Sequence, residues 1–341
     1  GGIKVGGGAP ISVQTMTKTK TDDVAGTVKQ IRDAAEAGCD IVRVTVNDKE
    51  AAEAMAEIVR QSPIPIVADI HFNHIFALKA IAAGVAKVRI NPGNIGSKER
   101  IHEVLTAAKD KGIPIRIGVN SGSLEEDILE KHGYPTAEAL FESAMRHVEI
   151  CDEFNFKDVI ISVKSTDVRL MIEAYRLVGA RTDIPLHLGV TEAGLTRVGT
   201  IKSAVGIGTL LAEGIGDTIR VSLTDEPIKE VEVGKEILRS LGLASRNVEL
   251  IACPTCGRLE IDLFAIMAEL EKRLEGVKKP VKVAVLGCVV NGPGEASDAD
   301  IGIAAGKGVG ILYRKGEMVK RVKESEIVDT IVEEVHKFQP E

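Results

Sequence analysis

The sequence predicts an α/β protein, with an N-terminal (β/α)8 TIM-type barrel over residues 1–242 and a smaller C-terminal α+β domain over residues 243–341. Three observations carry that reading. Short β-branched runs alternate with amphipathic segments, several of which stop at a glycine, and such alternation means parallel pairing. Eight of these units occupy roughly 240 residues, the size of a closed barrel of this kind. After residues 238–247 the alternation breaks and a different pattern begins.

In chain order the barrel strands read "ISVQTM" (11–16), "IVRVTV" (41–46), "IPIVADI" (64–70), "AKVRI" (86–90), "IPIRIGV" (113–119), "DVIISV" (158–163), "PLHLGV" (185–190) and "DTIRVS" (217–222). Segments such as 24–38 and 98–112 between them have helical apolar spacing and end in glycine. An open doubly wound sheet is the competing architecture. It wants a glycine-rich fingerprint in the first strand–helix turn, and here that turn is "TMTKTKTDD". In the second domain, "VELIACPTCGR" is a strand running into a CxxC, expected to open a helix directly. "LEIDLFAIMAELEKRL" is an amphipathic helix, and "VKVAVLGCVVNGPGE" is a strand running into a glycine–proline turn. "IGIAAG" and "VGILYRKGEMVKRV" read as a strand and a hairpin, and "ESEIVDTIVEEVHKF" as a closing helix. The linker falls at about residues 242–247.

Hydrophobic residues make up 44% of the chain and aromatics only 3%, with no Trp, so the cores must be aliphatic. A net charge of -7 argues against a general nucleic-acid binder, and no apolar run approaches the ~18 residues of a membrane span. The expectation is a soluble cytoplasmic protein. Five unevenly spaced cysteines do not make a disulfide scaffold. Cys39 and Cys151 have apolar neighbours at helix–strand junctions and read as buried structural thiols.

In barrels, chemistry sits at the C-terminal strand ends, where alternate residues share a face. Read this way, strand 2 offers Arg43, Thr45 and Asn47, strand 3 Asp69 and His71, and strand 4 Arg89 and Asn91. Strand 5 offers Arg116, Gly118 and Asn120, strand 6 Ser162 and Lys164, and strand 8 Arg220 and Ser222, while Glu192 follows strand 7. Five cations thus stand on five strands, and two acids, Asp69 and Glu192, cannot neutralise them. Burying unpaired charge costs several kcal/mol, so the pattern implies an anionic ligand, a small diphosphate or bisphosphate. The turn "NPGNIGS" (91–97) is a candidate phosphate cradle. His71 and His74 raise a metal-hydrolase alternative, but strand 1 lacks the His-x-His it needs and strands 5 and 6 lack histidine. His71 is expected to hydrogen-bond substrate, His74 to be helical and His187 to be core.

Cys253, Cys256 and Cys288 supply three thiolates at two strand ends, not the four Cys/His ligands of a closed zinc site. A redox dithiol would leave Cys288 unexplained. A [4Fe–4S] cluster on three thiolates leaves one iron for another ligand, and Glu295, brought round by Gly292-Pro293-Gly294, is the candidate.

"PISVQTMT", "VRVTV", "ADIHF", "VRINPGNIG", "SVKS", "GVTEAG", "IRVSLT", "CPTCGR" and "GCVVNGPGEASDADIGIA" together resemble the bacterial hydroxymethylbutenyl diphosphate synthase family (IspG/GcpE), in its shorter form, over nearly the whole chain. One departure is Thr15, where that family often has Ser. The resemblance implies reductive ring opening of 2-C-methyl-D-erythritol 2,4-cyclodiphosphate to (E)-4-hydroxy-3-methylbut-2-enyl diphosphate and water, with two electrons from ferredoxin or flavodoxin, in the methylerythritol phosphate route to isoprenoids. It implies a [4Fe–4S] cluster on Cys253, Cys256, Cys288 and Glu295. Arg43, Arg89, Asn91, Arg116, Asn120, Lys164, Arg220 and Ser222 are then the substrate-binding residues, and Asp69, His71 and Glu192 lie by the reacting carbons. It also implies a homodimer in which one subunit's cluster domain closes over the other's barrel. The alternatives are a dihydropteroate-synthase-like transferase barrel with a structural zinc domain, and a non-catalytic iron–sulfur redox sensor.

Overall fold

The structure, a computed structural model, describes residues 1–244, 247–288, 290 and 292–339. Residues 245 and 246 of the expected linker, and residues 289 and 291 of the "CVVNGPGE" motif, lie outside the described residues. The chain divides into two compact units, Gly1–Ala244 and Ser245–Glu341.

The first unit contains strands β1 (Ser12–Met16), β2 (Ile41–Thr45), β3 (Ile66–Asp69), β4 (Lys87–Arg89), β5 (Ile115–Asn120), β6 (Val159–Lys164), β7 (His187–Leu188) and β8 (Thr218–Ile219). Its helices are α1 (Val24–Glu36), α2 (Lys49–Gln61), α3 (His74–Ala82), α4 (Lys98–Lys111), α5 (Glu126–His132), α6 (Ala137–Glu153), α7 (Val168–Arg181), α8 (Thr196–Ala212) and α9 (Pro227–Ser240). The eight strands form one parallel sheet in the order β6-β5-β4-β3-β2-β1-β8-β7, and a parallel bridge between Ile161 and Leu186 joins its two ends into a barrel. Two expectations need adjusting. β7 and β8 are ladders of only two residues each, because pairing beyond them continues through single bonds such as Arg220 N–H to the Leu188 carbonyl. An extra short helix, α5, stands between β5 and α6.

Side chains split by strand parity. Val42, Val44, Ala68, Val88, Ile115, Ile117, Ile161 and Val163 are buried in the same aliphatic core as Ile31, Met55, Ile58, Val104 and Leu105 of the helices. Each Val, Ile, Leu or Met among them contributes about 1.5–3 kcal/mol of burial. Asp69, Lys87, Arg89, Arg116, Ser162 and Lys164 occupy the opposite parity and are buried as well. The main core therefore lies between strands and helices, and the barrel interior is polar. Cys39 and Cys151 are buried, and burial pushes their thiols up to about 11 and about 12, as inert structural cysteines require.

The second unit contains β9 (Glu249–Ala252), α10 (Leu263–Leu274), β10 (Lys282–Leu286), α11 (Gly292–Ser297), β11 (Ile301–Gly306), β12 (Val309–Arg314), β13 (Glu317–Lys323) and α12 (Ile327–Lys337). Its sheet runs β13-β12-β11-β10-β9, with β9, β10 and β11 parallel and β12 and β13 added as an antiparallel hairpin. Val283, Val285, Ile301 and Ile303 share a core with Leu270 of α10 and Ile331 of α12, whereas Ala284, Leu286 and Ala304 pack with Ala296 of α11. Among the described residues no helix is long and apolar enough to cross a membrane.

Two local expectations are corrected. The CxxC does not open a helix: Cys253–Arg258 is a loop, with Thr255 at φ 61°, and α10 starts only at Leu263, where the Asp262 side chain accepts the Ala265 N–H. Those thiols therefore stand at no helix N-terminus and gain nothing from a helix dipole. The Gly292-Pro293-Gly294 stretch is not a bare turn but the start of α11, which carries Glu295 in its first turn. Proline fits there because a first-turn N–H has no helical partner to lose.

Candidate active site

At the C-terminal end of the barrel, Asp69 is 4% exposed and lies between two guanidinium groups. Arg43 Nε stands 3.5 Å from Oδ2 and Arg89 Nη1 3.3 Å from Oδ1. Burial works to raise the Asp69 pKa, but Arg43 and Arg89, with His71 and Arg116 behind them, outweigh it and hold the carboxyl at about 2. Arg89 also donates from Nη2 to the Gly118 carbonyl at 2.8 Å. The Asn91 side chain bonds the same residue twice, accepting the Gly118 N–H at 2.8 Å and donating to its carbonyl at 3.2 Å.

Arg116 is 1% exposed and donates from Nη1 to Ser162 Oγ at 2.8 Å, while its Nε and Nη2 have no hydrogen-bond partner among the described residues. Lys164 is buried too, without a hydrogen bond or ion pair among the described residues. Burial, followed by Arg116, Arg43, Arg220 and Arg89, pushes its amine far below the ordinary lysine value. Asn120 ends β5 and Ser222 follows β8, both half-buried. His71 is exposed beyond β3, and desolvation and the nearby Arg89 and Arg43 lower its imidazole pKa against the pull of Asp69. Glu192 is exposed in the loop after β7 at φ 51°, a left-handed conformation that costs a non-glycine residue of order 1 kcal/mol. His187 is fully buried and His74 starts α3.

Sequence reasoning missed three residues here. Glu230, 0% exposed on α9, lies 3.3 Å from the Arg220 guanidinium and accepts from Thr15 Oγ1 at 2.7 Å and from the Leu223 N–H at 3.0 Å. Its signal was present: it falls among Pro227, Val231, Gly234 and Ile237 on the buried stripe of α9, where a carboxylate needs a partner. A serine at position 15 would offer Glu230 the same hydroxyl. Lys18 donates to the Leu223 carbonyl at 2.9 Å and stands 3.7 Å from Glu230. Lys87 shares the parity of Arg89 but starts β4, deeper in the barrel toward its N-terminal end, where burial and Arg116 and Arg43 hold it at about 7. Among the described residues, the second acid at ion-pair distance from a strand-borne cation is Glu230. Arg43 and Arg89 share Asp69, Arg220 has Glu230, and Arg116 and Lys164 have no carboxylate within ion-pair distance among the described residues.

In the second unit, Cys253 follows β9 and Cys288 follows β10, adjacent parallel strands, so both emerge at one sheet edge. Glu260 N–H bonds the Gly287 carbonyl at 3.1 Å, tying the CxxC loop to the Cys288 loop. Arg258, beside Cys256, lowers that thiol's pKa, and it also feels the charge of Cys288. A Cβ on Gly302 would meet the Ala296 carbonyl oxygen at 2.0 Å, so only glycine lets α11, with the exposed Glu295, lie directly on β11. Among the described residues, no three Cys, His, Asp or Glu side chains are gathered closely enough to hold a metal ion. Donor chemistry and placement at one sheet edge nevertheless fit a thiolate-held cluster: three cysteines outside any disulfide, and one of them favoured as thiolate.

Comparison with known proteins adds the following. The family model described as GcpE TIM-barrel domain matches residues 1–235, and that described as GcpE protein C-terminal domain matches residues 249–337. A 4-hydroxy-3-methylbut-2-en-1-yl diphosphate synthase (flavodoxin) from Clostridium perfringens is 59% identical over 332 residues, covering 97% of this chain and 95% of that one. The protein of the same name from Clostridium tetani is 57% identical over 331 residues, with 97% and 95% covered. That from Shouchella clausii is 55% identical over 341 residues, covering 100% and 93%.

Proposed function

The chain belongs to the GcpE family, and from that premise we propose that it reduces 2-C-methyl-D-erythritol 2,4-cyclodiphosphate to (E)-4-hydroxy-3-methylbut-2-enyl diphosphate and water. It is an enzyme of the oxidoreductase type. Family membership replaces the transferase and sensor alternatives. The observation that best supports the substrate is the cation surplus of the barrel mouth, where Arg116 and Lys164 are buried with no carboxylate at ion-pair distance among the described residues. A diphosphate supplies the missing charge, and guanidinium forks match its oxygens.

In this reading Arg43, Arg89, Arg116, Lys164 and Arg220 bind the diphosphate, with Asn91, Asn120 and Ser222 orienting it. Asp69 keeps two of the guanidinium groups aligned. His71 hydrogen-bonds the carbon skeleton, and Glu192 holds or moves the proton that leaves with the departing hydroxyl as water. Cys253, Cys256, Cys288 and Glu295 would hold the [4Fe–4S] cluster, which when bound supplies single electrons and a Lewis-acidic iron. Arg258 favours the thiolate of Cys256, and the packing of α11 fixes where Glu295 emerges. The relatives' names specify flavodoxin, which we take as the donor here. A cytoplasmic homodimer, in which one subunit's cluster domain meets its partner's barrel, completes the proposal.

Anaerobic turnover of the cyclic diphosphate with reduced flavodoxin tests it. The expected result is the linear monophosphoester-linked diphosphate product, with two electrons consumed per molecule. Iron-replete protein that leaves the cyclic diphosphate untouched with both reduced flavodoxin and reduced ferredoxin would contradict it.

A further inference from the structure

We propose that His147, oriented by Glu125, is a positioning residue that sets the 91–97 loop for substrate; the inference rests on the reading of that loop as part of the diphosphate site. His147 lies on α6 and is 2% exposed. Its Nδ1 accepts the backbone N–H of Gly93 at 3.1 Å. Its Nε2 faces Glu125 Oε1 at 3.2 Å. A ring nitrogen that accepts from an amide carries no proton, so the imidazole proton stands on Nε2, toward the carboxylate. Burial works to raise the Glu125 pKa, but His147 and Ser143 outweigh it and keep the carboxyl at about 2, hence ionised. His147 thus bonds Gly93 through Nδ1 and turns Nε2 to an ionised carboxylate at ion-pair distance, although neither Glu125 oxygen has a hydrogen-bond partner among the described residues.

The loop packs directly against the ring. A Cβ on Gly93 would meet His147 Cε1 at 2.9 Å, so a larger residue there must displace the His147 ring or the loop. Asn91 is fixed separately through the two bonds of its amide to Gly118. The short helical turn Pro92–Asn94 is thus anchored at one end to β5 and near its middle to α6. Neither His147 nor Glu125 is placed to touch substrate; both act through the loop, so losing them should weaken substrate binding and leave the chemical step nearly intact.

His147→Asn and His147→Gln separate the two contacts, because Asn Oδ1 falls near the Nδ1 position and Gln Nε2 near the Nε2 position. The assays are kcat and KM for the cyclic diphosphate in the anaerobic holoenzyme, and hydrogen exchange of the Gly93 amide in the full chain without substrate. His147→Gln and His147→Leu should speed Gly93 exchange and raise KM about tenfold with kcat within about threefold, while His147→Asn restores both toward wild type. Unchanged Gly93 exchange in His147→Leu, or a His147→Asn no better than His147→Gln, overturns the proposal. So does a loss confined to kcat. If the leucine variant does not fold, the asparagine–glutamine pair still decides. Failure of the functional reading shows differently, as wild-type protein that does not turn over the cyclic diphosphate while Gly93 exchange still follows the substitutions.

Discussion

Glu230, wholly buried on α9, lies 3.3 Å from the guanidinium of Arg220 at the barrel mouth. The carboxylate reaches the strand end from the helix layer, so the cation is held by a group on the far side of β8. Arg220 is consequently aimed without depending on ligand, whereas Arg116 and Lys164 have no such carboxylate among the described residues.

Replacing Glu230 with Leu should therefore strand a buried guanidinium and leave the Thr15 hydroxyl and the Leu223 N–H without their acceptor. A loss of about 3–5 kcal/mol is expected in denaturant unfolding, more than a surface Glu→Leu change gives. Glu230→Gln should lose less, because the amide oxygen still accepts. Unfolding free energies of the two variants equal to wild type would rule out this role.

Asp69 makes an acid-dependent contribution. Its folded pKa of about 2 lies below the ordinary carboxylate value of ~3.9, so the stabilisation is fully present above about pH 4 and disappears as pH falls through about 2. The full difference is about 2–3 kcal/mol. The stability gap between wild type and Asp69→Asn should therefore narrow between about pH 4 and pH 2, followed by denaturant titration at each pH. A gap independent of pH over that range would contradict the ion-pair arrangement.

Gly189 marks a tight passage beneath the proposed diphosphate site. A Cβ there would meet the Arg220 carbonyl oxygen at 2.6 Å and Lys164 Nζ at 2.7 Å. The lysine tip could swing aside, but the backbone oxygen cannot. Gly189→Ala should cost about 1–3 kcal/mol and raise KM for the cyclic diphosphate, measured by thermal unfolding and steady-state kinetics. Unaltered stability and KM would show that the barrel yields there.

The proposed shared site has its own test. Mixed dimers of Cys253→Ser and Arg116→Ala chains should recover about a quarter to a half of wild-type activity, because one composite site is intact in each heterodimer. Proven heterodimers with no recovery would place each site within one chain.

Much of this was legible in the sequence, for reasons that differ by region. Strand parity placed Asp69, Arg89, Arg116 and Lys164 on one face because a closed parallel barrel fixes alternation from hydrophobic runs alone. Glu230 was not legible in that way, since its partner stands on another element and only the tertiary fold brings a helix carboxylate under Arg220. The CxxC loop misled because a thiol pair after a strand suggests a helix start, while Asp262 provides a better N-cap several residues later. Likewise, nothing local in "GPGEAS" signals a helix: the seat for α11 is made by Gly302 on a neighbouring strand.

The most direct measurement concerns Cys288 and the cluster it is proposed to help hold. Cys288→Ser protein, purified and reconstituted anaerobically beside wild type, should lack the broad absorbance near ~400 nm of a [4Fe–4S] centre and should not convert the cyclic diphosphate, while its barrel unfolds as in wild type. Wild type should show that absorbance, with about four iron and four sulfide per chain, and should turn over. Intact absorbance and turnover in the serine variant would contradict the account.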